Sequence, residues 1–441
     1  MRNKKFITLG FASVALASSL LLSSNLFASE KPQEREVSEK SRLEALAKFT
    51  KVITIVEQYN VDDITINELI DKSLKGLLSN LDAHSNYLTQ KDYKRLKVQT
   101  DGEFGGLGIT VGMKDGALTV IAPLEGTPAD KVGLKASDII LKINDESTIG
   151  MSIDEAVSKM RGKVGDPIDV TIVREGESKP LVFHIVRGVI TIQSVYTKEI
   201  NNDILYIRVT SFDKKVVADV SKAINSQRDK SKGIVLDLRN NPGGLLDQAV
   251  GLVDLFVDSG DIVSQKGRSE ADKKIFTASK HKTITNVPVV VLINGGSASA
   301  SEIVSGALQD HKRAVLVGEK SFGKGSVQVV LPITDTEAMK LTIARYYLPS
   351  GRTIQAVGVT PDIEIGAGEI KTHKNEFAIK EADLKEHLEE ELKKVDSKVE
   401  KSENKKEDKK EKDIITPEML NKDIQLKEAV DIIKAIMIIK G

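Results

Sequence analysis

Cysteine is absent from the 441 residues, which excludes thiol nucleophiles, thiolate metal ligands and disulfides; the absence is compatible with an oxidising compartment without proving one. Neither sign of charge dominates. Lys plus Arg equals Asp plus Glu at 64 each, so no global field favours nucleic acid or an anionic membrane surface as the partner. Histidine is scarce, at six residues, and the His and carboxylate positions form no metal-binding spacing such as His-Glu-x-x-His. No internal repeat is evident. Beyond Leu22 no segment offers the roughly 18 uncharged residues that a membrane span needs. What is present is length: a chain of this size exceeds what one hydrophobic core usually serves, so two or three domains are expected.

The ends differ from the body. Arg2, Lys4 and Lys5 precede an apolar, Ser/Ala-rich run from Phe6 to Leu22, a polar break at Ser23-Ser24-Asn25 and the small residues Ala28-Ser29. That layout is a secretory signal cleaved after Ala28, and it implies an exported body, periplasmic or membrane-anchored on the extracytoplasmic side. Leu26 is a poor residue three positions before the cut, so an uncleaved anchor, attaching the chain to the membrane through its N-terminus, is the first alternative, and a buried helix of a cytosolic chain the second. From Lys371 to Lys412 the chain is dense in Glu and Lys and reads as a solvated or disordered tether. After Pro417-Glu418, a helix with a wide apolar face (Met419, Leu420, Ile424, Leu426, Ala429, Val430, Ile432, Ile433, Ile436 and Ile438) wants a partner, either the chain's own body or a second copy in a homo-oligomer.

Between the ends, Leu46, Phe49, Val52, Ile53 and Val56 and then Leu69, Leu74, Leu77, Leu78 and Leu81 repeat at helical spacing. From Gly105 to Val186 short β-rich runs take over, with helix-like stretches at Pro128 to Val132 and Ile153 to Met160, the second opened by Ser152 as N-cap. After residue 190, Ile204 to Val209, Gly233 to Leu238, Val289 to Ile293 and Ala314 to Val317 read as buried strands alternating with helices, the mark of an α/β sheet covered on both faces.

Three segments carry chemistry. Asn294-Gly295-Gly296-Ser297-Ala298-Ser299-Ala300-Ser301-Glu302 follows an apolar strand and opens a helix. A serine at such a turn can be an exposed nucleophile beside free helix amides, and the same composition also describes an ordinary capped helix start. In Ser321-Phe322-Gly323-Lys324-Gly325-Ser326-Val327-Gln328 a lysine sits between two glycines. A lysine desolvated there loses its proton near neutral pH and serves as general base; a lysine holding a phosphate or carboxylate is the other reading, although Gly325 breaks the Walker pattern. On an extended strand Lys324, Ser326 and Gln328 share a face, so the Gln328 amide can position the amine. Asp237-Leu238-Arg239-Asn240-Asn241-Pro242-Gly243-Gly244-Leu245 ends a buried strand in a glycine turn, either a plain connection or one half of an oxyanion hole completed by the Ala300 amide. His311, beside Asp310, is the one histidine close to Ser299 in the chain, and adjacent residues point different ways, which argues against a histidine-based triad.

Taken together, these segments closely resemble the carboxy-terminal processing, or tail-specific, serine peptidases. The resemblance implies Ser299 as nucleophile, Lys324 as base, Gln328 orienting the lysine and the Gly244 and Ala300 amides as oxyanion hole, with no metal or organic cofactor. Leu81-Asp82-Ala83-His84-Ser85-Asn86-Tyr87-Leu88 looks like a further element of that family, with Ala83 where a proline is usual, and Tyr346 to Arg352 with Gly358 to Asp362 resembles its closing segment. Gly105-Gly106-Leu107-Gly108-Ile109 resembles the PDZ loop whose amides bind a terminal carboxylate while the adjoining strand pairs with the peptide.

The fold expected is an α/β peptidase core with a PDZ domain, an N-terminal helical domain and a C-terminal helical tail. The boundaries are a signal at 1–28, helices at 36–100, the PDZ domain at 103–188, the Ser/Lys core at 190–366, a charged linker at 367–415 and a helix at 416–441. Its partners would be protein or peptide substrates with accessible C-terminal tails, and a second copy or an adaptor protein. A non-catalytic PDZ scaffold for exported proteins is the alternative function. An esterase or amidase of cell-envelope material fits less well, since strand pairing selects extended peptides.

Overall fold

The apolar runs Ile204–Val209, Gly233–Asp237 and Val289–Ile293 leave no polar side for water, and they lie adjacent and parallel in the middle of a seven-stranded sheet. The structure, a computed structural model, describes residues 39–370 and 414–440. The leader-like segment 1–28 and the charged stretch from 371 to 412 lie outside the described residues. From edge to edge the sheet runs Ile363–Glu364, Ala314–Gly318, Val289–Ile293, Gly233–Asp237, Ile204–Val209, Val195–Ile200 and Ile414–Ile415; only the pairing of Val195–Ile200 with Ile204–Val209 is antiparallel.

Alternation along each strand divides its side chains between two cores. Val289, Val291 and Ile293 join the helices Val216–Ser226, Leu246–Asp254 and Ala300–Asp310 on one face. Val290 and Leu292 point the other way, on to Leu426, Val430 and Ile433 of the terminal helix Ile424–Lys440. The chain's own sheet therefore covers the Leu426, Ala429, Val430 and Ile433 side of that apolar face, whereas Met419 and Ile438 stay exposed. A guanidinium clamp fixes its start: Arg239 donates to Asp237 (2.7 Å), to Asp423 (2.7 Å) and to Gln425 (3.0 Å), tying the end of a central strand to the C-terminal segment.

The chain divides into two units, residues 1–74 and 75–441. In the first, helix Glu39–Tyr59 buries Ile53, while Leu46, Phe49 and Val52 are exposed. Helix Ile66–Ser79 opens with a reciprocal box in which Thr65 N donates to Glu68 (2.9 Å) and Glu68 N to the Thr65 hydroxyl (3.3 Å).

In the second unit, the β-rich module is a six-stranded sheet around Leu118, Ile140, Ile168, Val170 and Ile172, flanked by the helices Pro128–Lys131 and Ile153–Met160. Ser152 caps the second helix in a box with Glu155. A ribbon of Glu103–Gly106 against Gly188–Thr191 forms its root. A further sheet brings Asn86–Leu88 on to Ala338–Lys340, and the same long strand, Ala338–Tyr347, pairs with Ser326–Pro332.

Gly233 marks where the terminal helix comes closest, since a Cβ there would lie 2.3 Å from Ile433 Cγ2. Gly233→Ala should therefore destabilise the chain by about 1–3 kcal/mol through overpacking, and Ile433→Ala by about 2–5 kcal/mol through a cavity. Thermal or urea unfolding of the double variant should show a loss smaller than the two combined, because each change relieves the other. Strictly additive losses would mean that the helix does not pack here.

Candidate active site

Three serines stand at the turn between Val289–Ile293 and the helix Ala300–Asp310, and the backbone engages two of them. The Ser297 hydroxyl donates to Leu238 O (2.8 Å), and the Ser301 hydroxyl donates to Asn241 O (2.9 Å); both side chains are fully buried. Ser299 is half-buried, and among the described residues its hydroxyl makes no hydrogen bond to another strand or turn; it faces Glu302 N in a capping box closed by the Glu302 carboxylate on Ser299 N. Its backbone is held at φ 55°, ψ −109°, a conformation costing of order 1–3 kcal/mol that persists only where the surroundings impose it.

The neighbouring turn supplies that imposition. Asn241 O also accepts from Ala298 N (2.9 Å), and Asn294 Oδ1 accepts from Asn240 N (2.8 Å) while Asn294 Nδ2 donates to Asn240 Oδ1 (3.0 Å). Gly243 abuts the serine: a Cβ there would lie 2.9 Å from Ser299 Cβ and 3.0 Å from Ala300 N. Gly244, at φ 150°, could carry no side chain at all, because a Cβ would lie 2.2 Å from Phe212 O. Among the described residues the amides of Gly244 and Ala300 donate to no acceptor. Unpaired amides at the turns beside this serine are free to receive an anion.

Lys324 lies on a loop leading from Ala314–Gly318 to the strand Ser326–Pro332. Gly325 lets that loop press on Gln355, whose N would sit 2.5 Å from a Cβ at Gly325. The Lys324 amine is half-buried and forms no hydrogen bond or ion pair among the described residues; burial, and then the nearby Lys340 cation, push its pKa down, against an opposing pull from Glu302. No hydrogen bond joins it to the Ser299 hydroxyl in this conformation. The two main chains are nevertheless tied, since Glu302 Oε2 accepts from both Ser299 N (2.7 Å) and Lys324 N (2.9 Å).

Gln328 sits beside Ser326 and Thr342, donating to their hydroxyls at 2.7 and 3.4 Å, and the register breaks at Val327/Gln328. A bulge there interrupts the simple alternation that puts Gln328 on the lysine's face. Thr342 is bonded in turn to Asp82 (3.1 Å), the hub of the turn Asp82–Ser85. Against the effect of partial burial, the Ser85 hydroxyl, the His84 and Ser85 amides and Thr342 bring the Asp82 carboxyl down to about 2.

His84, on this turn, has its pKa lowered by burial and then by the Lys324 cation. A histidine beside the lysine was not legible from chain distance, which singles out His311; the signal that pointed to it was the resemblance of residues 81–88. His311 itself lies at the far end of the helix from Ser299, roughly 16 Å along its axis, and bonds Asp261 O (2.7 Å).

In the β-rich module, Gly105 and Gly106 belong to the root ribbon, paired with Val189 and Gly188, while Leu107, Gly108 and Ile109 line a groove of about 250 Å³ with Leu124, Val157 and Met160. The amides of Leu107 and Gly108 donate to no acceptor among the described residues. Arg161 also lines the groove, its guanidinium 4.2 Å from the Phe104 ring and its buried Nε unpaired among the described residues.

Comparison with known proteins agrees with this layout. Residues 203–365 match the model of Peptidase family S41, and residues 119–174 match that of the PDZ domain. The chain is 43% identical over 357 residues to a carboxy-terminal-processing protease of Bartonella bacilliformis, covering 80% of this chain and 82% of the relative. It is 34% identical over 364 residues to the carboxy-terminal processing protease CtpA of Bacillus subtilis, covering 81% and 76%. Among solved structures it is similar to a photosystem II D1 C-terminal processing protease, with 27% identity, a TM-score of 0.42 and coverage of 74% and 88%. The chain, an α/β core joined to a PDZ domain, belongs to the carboxy-terminal processing serine proteases of peptidase family S41.

Proposed function

We propose that this chain is an exported endopeptidase in which Ser299 is the nucleophile, Lys324 the general base and the PDZ module the selector of substrate tails. The observation that carries the reading is the division of labour among three neighbouring serines: the Ser297 and Ser301 hydroxyls donate to carbonyls of another strand end, whereas the Ser299 hydroxyl, on a strained turn, faces only the first turn of its own helix, near the unpaired amides of Gly244 and Ala300. Neutral Lys324 removes the Ser299 proton as Oγ adds to the scissile carbonyl. The Gly244 and Ala300 amides bind the oxyanion, worth about 10²–10³ in rate per donor. The lysine ammonium then gives its proton to the leaving amine as the peptide bond breaks; the neutral Lys324 amine next deprotonates a water that adds to the acyl carbonyl, and the ammonium so formed returns the proton to Ser299 Oγ as the acid leaves. Because the amine and hydroxyl are not bonded in this conformation, reaction requires the lysine side chain to rotate on to Ser299. Gln328 positions the amine in that arrangement, by a side-chain turn away from Ser326.

Tail selection rests on the free amides of Leu107 and Gly108 and the Arg161 guanidinium around one apolar groove, a set that suits a terminal carboxylate with an apolar last residue. Residues 212–214 support coupling between module and core. Lys214 N donates to Thr100 O (3.0 Å), and a Cβ at Gly102, next to the module's root, would lie 2.7 Å from Asp213 Cγ. Phe212 N donates to Gly243 O (3.0 Å) and Leu245 N to Phe212 O (2.8 Å), so a shift of the root reaches the turn that bears the Gly244 amide. Export, to the periplasm or to the outer side of a membrane anchor, follows from the composition of residues 2–28.

Ser299→Ala and Lys324→Ala should each lower kcat against an unstructured protein by at least about 10³-fold without lowering the melting temperature, since the pair acts as a unit; His311→Ala should stay near wild type. An inactive His311→Ala that remains folded would move the base to histidine. Activity should rise with pH, because only the neutral amine is a base, with a midpoint below that of a free lysine given the lowered pKa of Lys324. A rate that falls as pH rises through this range would contradict a lysine base. Amidating a substrate's C-terminus should slow its cleavage in the intact chain, as measured by paired digestions, and equal rates would remove tail recognition from the module.

A further inference from the structure

The mechanism above gives no task to Glu302, although it is a wholly buried carboxylate in the first turn of the helix behind Ser299. A carboxylate is rarely buried unless every lone pair is filled, and here four donors fill them. Oε1 accepts from the Ser321 hydroxyl (2.6 Å) and Gly323 N (2.6 Å); Oε2 accepts from Ser299 N (2.7 Å) and Lys324 N (2.9 Å). Three of the four donors are the amides of the nucleophile, of the base and of the residue before the base. Such bonds to a charged acceptor are short and about twice as strong as neutral ones, and the helix N-terminus favours a negative charge at this position.

Two geometric results follow from the bonds. Engaging Ser299 N fixes the serine's strained backbone and takes its amide out of competition for the oxyanion, leaving those of Ala300 and Gly244. Engaging Gly323 N and Lys324 N ties the lysine loop to the serine's helix rather than to its own strand, so the loop cannot slide past Ser299 without breaking charge-assisted bonds. The Ser321 hydroxyl extends the hold, accepting from Val359 N (2.7 Å) on the next segment.

We infer that Glu302 is a positioning residue for the peptidase reaction, a single buried carboxylate that sets the separation and mutual orientation of Ser299 and Lys324. The inference rests on the Ser299–Lys324 reading. It differs from a purely structural role in one respect that can be measured. The groups facing the Lys324 amine are Lys340, Glu302 and His84, with Asp82 behind His84, and of these Glu302 is the anion that favours the ammonium. Removing its charge lets the amine deprotonate at lower pH, whereas a packing defect that admits water relieves the desolvation of the amine and moves its titration to higher pH.

The test compares Glu302→Gln, Ser321→Ala and Ser299→Ala with wild type in the full chain, measuring kcat and KM on one peptide substrate across pH, together with the thermal midpoint. Glu302→Gln should lose about 100-fold in kcat, the scale of a small misplacement of reacting groups, with KM nearly unchanged and the ascending limb of the pH profile moved to lower pH. Ser321→Ala removes one donor and keeps the carboxylate, so it should lose about tenfold in kcat with the limb unmoved. Wild-type kcat in Glu302→Gln, or a loss with the limb unmoved or moved to higher pH, would overturn the inference. Should Glu302→Gln fail to fold, Ser321→Ala decides: a lower kcat at an unchanged melting temperature supports the positioning role, and wild-type kcat overturns it. Activity retained in Ser299→Ala would instead reject the reading beneath it.

Discussion

Burying one carboxylate at the start of a helix constrains everything around it. Glu302 lies where the first-turn amides favour an anion, but those amides do not by themselves satisfy it, and the remaining lone pairs are filled by a loop that arrives after another strand and a turn. That requirement brings Ser321, Gly323 and Lys324 to the serine turn. The asparagine pair Asn240–Asn294 and the carbonyl of Asn241 do the same for the glycine turn from the other side. Three turns at the ends of adjacent parallel strands are thereby interlocked through polar groups, where an apolar contact would have specified neither direction nor distance.

The sheet beneath makes this interlock affordable in conformational terms. Its central strands are buried on both faces, one by three helices of the core and the other by a helix that arrives after the charged stretch at the end of the chain. Arg239 links the two ends of the arrangement, since it follows a central strand, precedes the Asn240–Gly244 turn and is clamped by Asp423 and Gln425 of the C-terminal segment. Its neighbours Asp237 and Tyr206 complete the network from within the sheet. The C-terminal segment is thus part of the core and contributes to holding the turn that bears the Gly244 amide.

Much of this was legible in the sequence, and the limits have physical causes. Uniform apolar runs identify Ile204–Val209, Gly233–Asp237 and Val289–Ile293 as buried strands because a strand covered on both faces has no polar side. The N-cap at Ser152 was equally plain. By contrast, Ser297, Ser299 and Ser301 are chemically identical in one dimension; only the carbonyls of Leu238 and Asn241, brought from a different strand end, distinguish them. Gln328 was placed by strict alternation, which the bulge at Val327/Gln328 interrupts. His84 was invisible to an argument from chain distance, since it reaches Lys324 through the pairing of Asn86–Leu88 with Ala338–Lys340. The terminal helix announced an apolar face but not its partner, because periodicity says which side is buried and not against what.

The central claim is that Ser299, activated by Lys324, is the atom that attacks. Covalent labelling of the full chain with a peptidyl phosphonate, followed by mass-spectrometric mapping of the modified residue at several pH values, tests it most directly. The account predicts a single adduct on Ser299 whose formation rate rises with pH in the wild-type chain and is lost in Lys324→Ala. An adduct on Ser297 or Ser301, or labelling of Ser299 at the same rate with and without the lysine, would contradict it.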